Sequence, residues 1–256
     1  MKAIEQVILQ MDTFSLNELV ATAPLLNRFD RKYIMPLSNL PALLQKLQPD
    51  YSVLEIEGTR MFRYATHYYD TPEKKYFFNH HRGLAKRYKV RKRIYTDSGM
   101  CFMEIKHKMA KGNTFKCRKQ IQQKEDAGNE NCIDFLTANG VEEAKVLEHS
   151  VNIFYNRITL LHKDKQEKIT FDINMSCANG RHAASFNNLV VIEQKIPSFS
   201  YRRFLPSFEA YDLKLLSISK YCLAVITLNP LIKHNAFKMQ LRHIHKINNL
   251  HNDSLV

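Results

Sequence analysis

Between Lys86 and Lys119 the chain reads K-R-Y-K-V-R-K-R-I-Y, then M-E-I-K-H-K, then K-C-R-K, with cations recurring at every second position. Side chains alternate between the faces of a strand, so Lys89, Arg91 and Arg93 share one face of the first segment. Glu104, Lys106 and Lys108 share a face of the second segment, and Lys116 and Arg118 share a face of the third. Antiparallel pairing of such strands aims a dense cationic array, with one carboxylate set into it, at a single surface. That array repels itself unless a polyanion, accompanied by a divalent metal, lies against it. The chemistry these residues fit is the holding of a chain of phosphates.

Other segments repeat the theme. In R-F-D-R-K-Y, Arg28, Asp30 and Lys32 share one strand face, and Phe29, Arg31 and Tyr33 share the other. Arg157 sits in Y-N-R-I, Thr170 and Asp172 share a face of K-I-T-F-D, and Glu193 and Lys195 share a face of V-V-I-E-Q-K-I. A charge inside so apolar a strand either lines a wet cavity or costs several kcal/mol of desolvation. Taken singly, Arg157 reads as a surface or salt-bridged arginine, and Glu193 with Lys195 as a pair on an exposed sheet. Their accumulation changes the reading. In an open sheet these residues form the solvent face, whereas in a closed barrel they form a charged lumen that needs hydration and a polyanion.

The elements that must position them follow from periodicity. Residues 1–24 read as one or two short helices, with Ser15 and Glu18 spaced as a capping box. Strands are expected over Arg28–Met35 and Met61–Asp70, a helix through Leu40, Leu43, Leu44 and Leu47, and another over Glu73–Asn79. The three cationic strands are linked by Asp97-Ser98-Gly99 and Lys111-Gly112-Asn113, both good hairpin chemistry. A polar loop over Glu125–Asn131 precedes a helix over Cys132–Asn139, capped by Asn139-Gly140. Strands return over Val151–Leu161, Lys168–Met175 and Asn188–Ile196, and from Asp212 the pattern is helical, broken at Asn229-Pro230. One α+β domain over residues 1–256 is expected, an antiparallel sheet or barrel with helices at both ends.

Composition narrows the function classes. The chain has 256 residues, with 38 Lys+Arg against 25 Asp+Glu, a formal net charge of +13 and 45% hydrophobic residues. This is enough for a core, and it points to an anionic partner such as nucleic acid, phosphorylated metabolites, polyphosphate or an acidic membrane surface. The five cysteines are scattered without a C-x-x-C pair, so neither a disulfide framework nor a zinc site is expected. No stretch approaches the ~20 apolar residues of a membrane span, and MKAIEQVILQMDTFSL has no apolar signal core. A cytoplasmic protein is expected, with the inner face of the membrane as an alternative site for its basic surface.

The ordered set R-F-D-R-K-Y, T-H-Y-Y-D-T, K-V-R-K-R-I-Y, E-I-K-H-K, Y-N-R, I-E-Q-K and S-K-Y resembles the vacuolar transporter chaperone (VTC) domain. That domain is a polyphosphate polymerase of the triphosphate tunnel metalloenzyme superfamily, and the resemblance runs from about Arg28 to Tyr221. It implies an antiparallel β-barrel enclosing a basic tunnel, in a stand-alone bacterial form. It implies that Lys32, Arg91, Arg93, Lys106 and Arg157 are catalytic and that Lys89, Lys108, Lys116, Arg118, Lys195 and Lys220 bind phosphate. Glu193 and Glu104 are then the metal ligands, and the cofactor Mn²⁺ or Mg²⁺. ATP and inorganic polyphosphate are the implied partners, with a membrane-protein partner to receive product, and nucleic acid is disfavoured by the carboxylates among the cations. Asp30 stands where relatives usually carry Glu, and the E-x-E-x-K signature of the wider superfamily's tripolyphosphatases and class IV cyclases is absent. The rivals are a tripolyphosphatase or cyclase on the same barrel, a nucleic-acid-binding β-protein, and a non-catalytic phosphate-chain sensor. Beyond Pro230, a helix over about 231–247 is expected to pack through Leu231, Phe237, Leu241 and Ile244. His80-His81 and His243/His245 read as surface residues.

Overall fold

A computed structural model describes residues 1–22, 29–109, 114–197, 210–216 and 219–249. Arg28 and the Lys111-Gly112-Asn113 turn lie outside the described residues. The chain begins with α1 (Lys2–Gln10), β1 (Thr13–Phe14) and α2 (Leu16–Ala21), and α2 starts from the expected Ser15/Glu18 capping box. Next come β2 (Phe29–Pro36), α3 (Leu40–Leu47), β3 (Tyr51–Leu54), β4 (Phe62–Asp70) and α4 (Lys75–His81). The cationic segments are β5 (Arg87–Tyr95), β6 (Met100–Lys108) and β7 (Thr114–Ile121). The β5–β6 turn depends on Gly99, whose φ of 69° carries little penalty for glycine.

The second half contains α5 (Glu130–Ala138), β8 (Glu148–His162), β9 (Lys168–Ala178), β10 (Ala183–Phe186) and β11 (Leu189–Ile196). It ends with β12 (Lys214–Leu215), α6 (Lys220–Leu228) and α7 (Lys238–Asn249). Four short strands, β1, β3, β10 and β12, escape the sequence reading because two to four residues show no usable alternation. The expected helical start at Asp212 is therefore corrected: Lys214 and Leu215 pair with Ile34 and Tyr33 instead.

The main sheet runs β12-β2-β11-β9-β8-β4-β5-β6-β7, and its neighbours along that path are antiparallel. Among the described residues the one parallel pair is β1 with β3, off that path. No ladder joins β7 to β12 among the described residues, so the sheet curls without hydrogen-bonded closure. Its outer face is apolar at both ends. Tyr33, Met35, Ile158, Phe171 and Ile192 pack with Ile4, Val7, Leu40 and Leu44 of α1 and α3. Val90, Met103 and Ile105 pack with Cys132 and Leu136 of α5.

The inner face is divided. One half is lined by Ile34, Val151, Ile153, Met175, Leu189 and Val191, and is filled by α6 together with Leu241, Ile244 and Ile247 of α7. Helix α6 is accordingly buried on nearly all sides, from Tyr221 to Leu228. The other half carries the charges. An irregularity opposite Phe154–Asn156, with Asn174 at φ 50°, lets Thr170 and Asp172 face the charged half while Met175 and Cys177 face α6. Leu231 does not join this packing, as it is 97% exposed. The break at Pro230 leaves it outside, the helix expected over about 231–247 runs instead as α7 over Lys238–Asn249, and Ile247 joins Leu241 and Ile244 in the packing. No helix among the described residues is long and apolar enough to cross a membrane.

Candidate functional site

The cationic strands align row by row. Lys89 stands opposite Lys106, which stands opposite Lys116, and Arg91 opposite Glu104, which stands opposite Arg118. On the other wall Lys32 faces Glu193 across the β2–β11 ladder, while Lys195 faces both Asp30 and Lys168. Like charges directly opposite one another destabilise a sheet. The Lys89–Lys106–Lys116 row is therefore held together by the outer-face packing of Val90 and Ile105 and against its own charge.

The arginines are clamped. Arg91 donates from Nε to Glu104 Oε2 at 2.7 Å and from Nη1 to the Tyr68 hydroxyl at 3.0 Å, and Arg93 Nη2 lies 3.3 Å from the same Glu104 oxygen. Arg157 makes a bidentate pair with Asp172 at 2.6 and 2.8 Å, and Lys220, the first residue of α6, reaches the same carboxylate at 2.5 Å. Tyrosines form the floor between them. Tyr64 and Tyr155 stack at 5.2 Å, Arg157 lies 5.2 and 5.3 Å from their centroids, and Arg93 lies 5.9 Å from Tyr64. Arg118 covers Phe102 at 4.8 Å. Cation–π contact and hydrogen-bonded carboxylates fix the guanidinium planes and keep these groups charged. Burial works against the charge on Arg91 and Arg157, yet Tyr68 and Glu104 for the first, and Asp172 for the second, hold both above the usual arginine range.

Lys32, Lys89 and Lys106 differ: within the described residues none makes a hydrogen bond or salt bridge to a carboxylate. Burial pushes Lys89 down to about 7, with Lys32, Lys106 and Arg91 adding to the effect. Burial, Lys32 and Lys116 push Lys106 down to about 8. Lys32 is also depressed, by burial and by Lys220 and Lys195, against the pull of Glu193 and Asp30. Lys106 on β6 thus feels Lys32 and Glu193 on β2 and β11, which stand far along the strand order. The curled sheet brings its two wings face to face across a cationic space. Glu193 is half-buried, but Lys195, Lys32, Arg157 and Lys220 hold its carboxyl well below the usual carboxylate range.

Of the residues singled out in the sequence, Lys32, Lys89, Arg91, Arg93, Lys106, Arg157, Glu104, Glu193, Lys195 and Lys220 lie on this inner face or at its α6 boundary. Lys116 and Arg118 continue the rows onto β7, and Lys108 lies at the strand end opposite Arg87. Glu104 already serves two arginines, whereas the contact of Glu193 with Lys195 is a loose 3.6 Å. The described residues contain no cluster of three or more His, Cys, Asp or Glu side chains for a metal. Glu193 and, diagonally across the ladder, Asp30 nevertheless fit a hard cation such as Mg²⁺ or Mn²⁺, which takes one or two carboxylates plus waters and phosphate oxygens.

The sequence reading overlooked several contributors. Within T-H-Y-Y-D-T, Tyr68 braces Arg91, while Asp70 accepts the backbone N–H groups of Thr71, Tyr76 and Phe77 and the hydroxyl of Tyr221. A buried Asp closing a strand is the signal that was present. His80 is corrected: it is not a surface residue, since its Nε2 is buried beside the cations, without a hydrogen-bond partner among the described residues. His81 instead meets Asn235 Oδ1 at 2.8 Å. His245 is exposed, as expected, and His243 is half-buried.

Residues 27–229 match the VTC domain, so the chain belongs to the VTC domain family. Among solved structures, a Hippeastrum protein described as a candidate adenylyl cyclase with a dominant triphosphatase activity aligns with a TM-score of 0.49 and 11% identity, over 80% of this chain and 99% of that one. A Bacillus halodurans protein described as a candidate adenylate cyclase aligns at 0.45 and 10% identity, over 86% of this chain and 90% of the other. A Vibrio parahaemolyticus protein of the same description aligns at 0.40 and 14% identity, over 84% and 99% of the two chains. No curated protein matches in sequence.

Proposed function

We propose that this chain is a polyphosphate polymerase, which moves the γ-phosphoryl group of ATP onto the end of a growing inorganic polyphosphate chain and releases ADP. The observation that carries this reading is the trio Lys32, Lys89 and Lys106, half-buried ammonium groups on facing walls that, among the described residues, make no hydrogen bond or salt bridge to a carboxylate. A row of phosphates supplies the missing charge to all three at once. In the reaction a terminal oxygen of the chain forms a bond to the γ-phosphorus as the bond from that phosphorus to the β–γ bridging oxygen breaks. The attacking oxygen is already anionic, so no general base is required, and positioning with charge neutralisation carries the catalysis.

Arg91, Arg93 and Arg157 present guanidinium forks suited to bidentate contact with phosphate oxygens, and Lys32, Lys89 and Lys106 follow the chain as point charges. Lys195, Lys220, Lys116, Arg118 and Lys108 extend the path. Glu193, with Asp30, would hold Mn²⁺ or Mg²⁺, which draws charge from the triphosphate oxygens when bound; Glu104 holds Arg91 and Arg93 in place. The test is purified protein with ATP and Mn²⁺, read by gel for polyphosphate and by nucleotide analysis for ADP. A phosphatase-sensitive ladder with matching ADP is expected. Free phosphate or cyclic nucleotide without chains would move the protein to a hydrolytic or cyclase activity.

A further inference from the structure

His80 occupies the last turn of α4, which packs against β4, β5 and α6. Its ring hydrogen-bonds to the backbone of Tyr88, while Nε2 is buried and has no hydrogen-bond partner among the described residues. The groups acting on the ring are Lys89 and Arg87 from β5 and Lys106 from β6. From α6, Cys222 adjoins Lys89, and its thiol is pushed up by burial. The neighbour on the same helix, His81, turns away to Asn235 and Phe237. His80 is thus a neutral imidazole at the edge of the unpartnered lysines, with one ring nitrogen used and the other idle. Burial and the adjacent cations push it down to about 2.

Nothing in the phosphate path described above uses this nitrogen. An idle buried ring nitrogen is destabilising unless a ligand group reaches it. A phosphate oxygen against Lys89 and Lys106 reverses the local field, and the nitrogen becomes a charged donor. We propose that His80 is a further ligand of the bound phosphate chain, and that its Nε2 takes up a proton as the polyanion arrives, so that anion binding is coupled to proton uptake. This rests on the reading of the inner face as a polyanion site.

The test is calorimetric titration of the full chain with inorganic tripolyphosphate at pH 6.0, in buffers of different ionisation enthalpy. At that pH Lys89 and Lys106, at about 7 and about 8, are already charged in the free protein. The protons carried by tripolyphosphate itself are common to all variants. His80→Gln is expected to bind about tenfold more weakly, as suits loss of a charge-assisted hydrogen bond, and to take up less proton than the wild type, by as much as one per site. Nitrogen-15 spectra of histidine-labelled wild type read the same event without substitution: His80 Nε2 moves from the unprotonated to the protonated position on adding tripolyphosphate. Wild-type binding with unchanged affinity and proton uptake in His80→Gln, or an unmoved Nε2 signal, overturns this inference alone. Absence of tripolyphosphate binding by the wild type overturns the polyanion reading and this inference with it.

Discussion

Lys89 is half-buried among Lys32, Lys106 and Arg91, and its depressed value of about 7 sets a pH dependence of stability. Below about pH 7 both folded and unfolded chains hold the proton, and the folded state bears the whole burial penalty. As pH rises from there towards the unfolded lysine value near 10.4, the folded protein sheds the proton first and gains stability. The change in Tm of ligand-free protein from pH 7 to pH 9 is therefore expected to be more positive in the wild type than in Lys89→Met, and equal changes would remove the argument. Lys106→Ala and Arg91→Ala are each expected to lower turnover about 100-fold or more, with the circular dichroism spectrum retained. Full turnover in both would refute their assignment. Glu193→Ala should lose metal-stimulated activity, and normal metal stimulation would count against its role. At this scale alternation made the cations legible, because a strand leaves a side chain only two directions. The tyrosine floor of Tyr64, Tyr68 and Tyr155 was not legible, since aromatic residues in strands ordinarily mean core.

Among the elements, α6 and α4 do most to delimit the site. Helix α6 fills the apolar half of the inner face and sets Lys220 against Asp172. Asp70 fastens α4 to α6 by accepting from Tyr76, Phe77 and Tyr221 at once. Truncating it leaves buried N–H and O–H donors unsatisfied. Asp70→Ala is expected to cost about 3 kcal/mol in urea unfolding, and a loss below about 1 kcal/mol would show that water replaces the carboxylate. The capping box of α2, the turn at Gly99 and the Gly140 that ends α5 were all legible, because each is decided by neighbours within a few residues. Strand β12 and the place of Leu231 outside the packing were not, because they answer to distant partners.

The whole molecule is a curled sheet whose wings repel each other across the inner space, under a formal net charge of +13. A polyanion that touches both wings should act as a clamp. Tripolyphosphate at about 100 times its Kd is expected to stabilise by about 2.7 kcal/mol, a rise in Tm of about 5–10 °C that added salt reduces. A Tm that does not respond to tripolyphosphate would refute the clamp.

The sequence by itself determined the alternating cations, the antiparallel class, the hairpin at Asp97–Gly99 and, through its ordered motifs, the VTC family, all properties of short segments or of their order. Only the tertiary structure decided which charges are neutralised. Glu104 answers Arg91 and Arg93, and Asp172 answers Arg157 and Lys220, whereas among the described residues Lys32, Lys89 and Lys106 make no hydrogen bond or salt bridge to a carboxylate. That outcome depends on how far the sheet curls and where α6 lodges, and therefore on the packing of residues far apart in the chain.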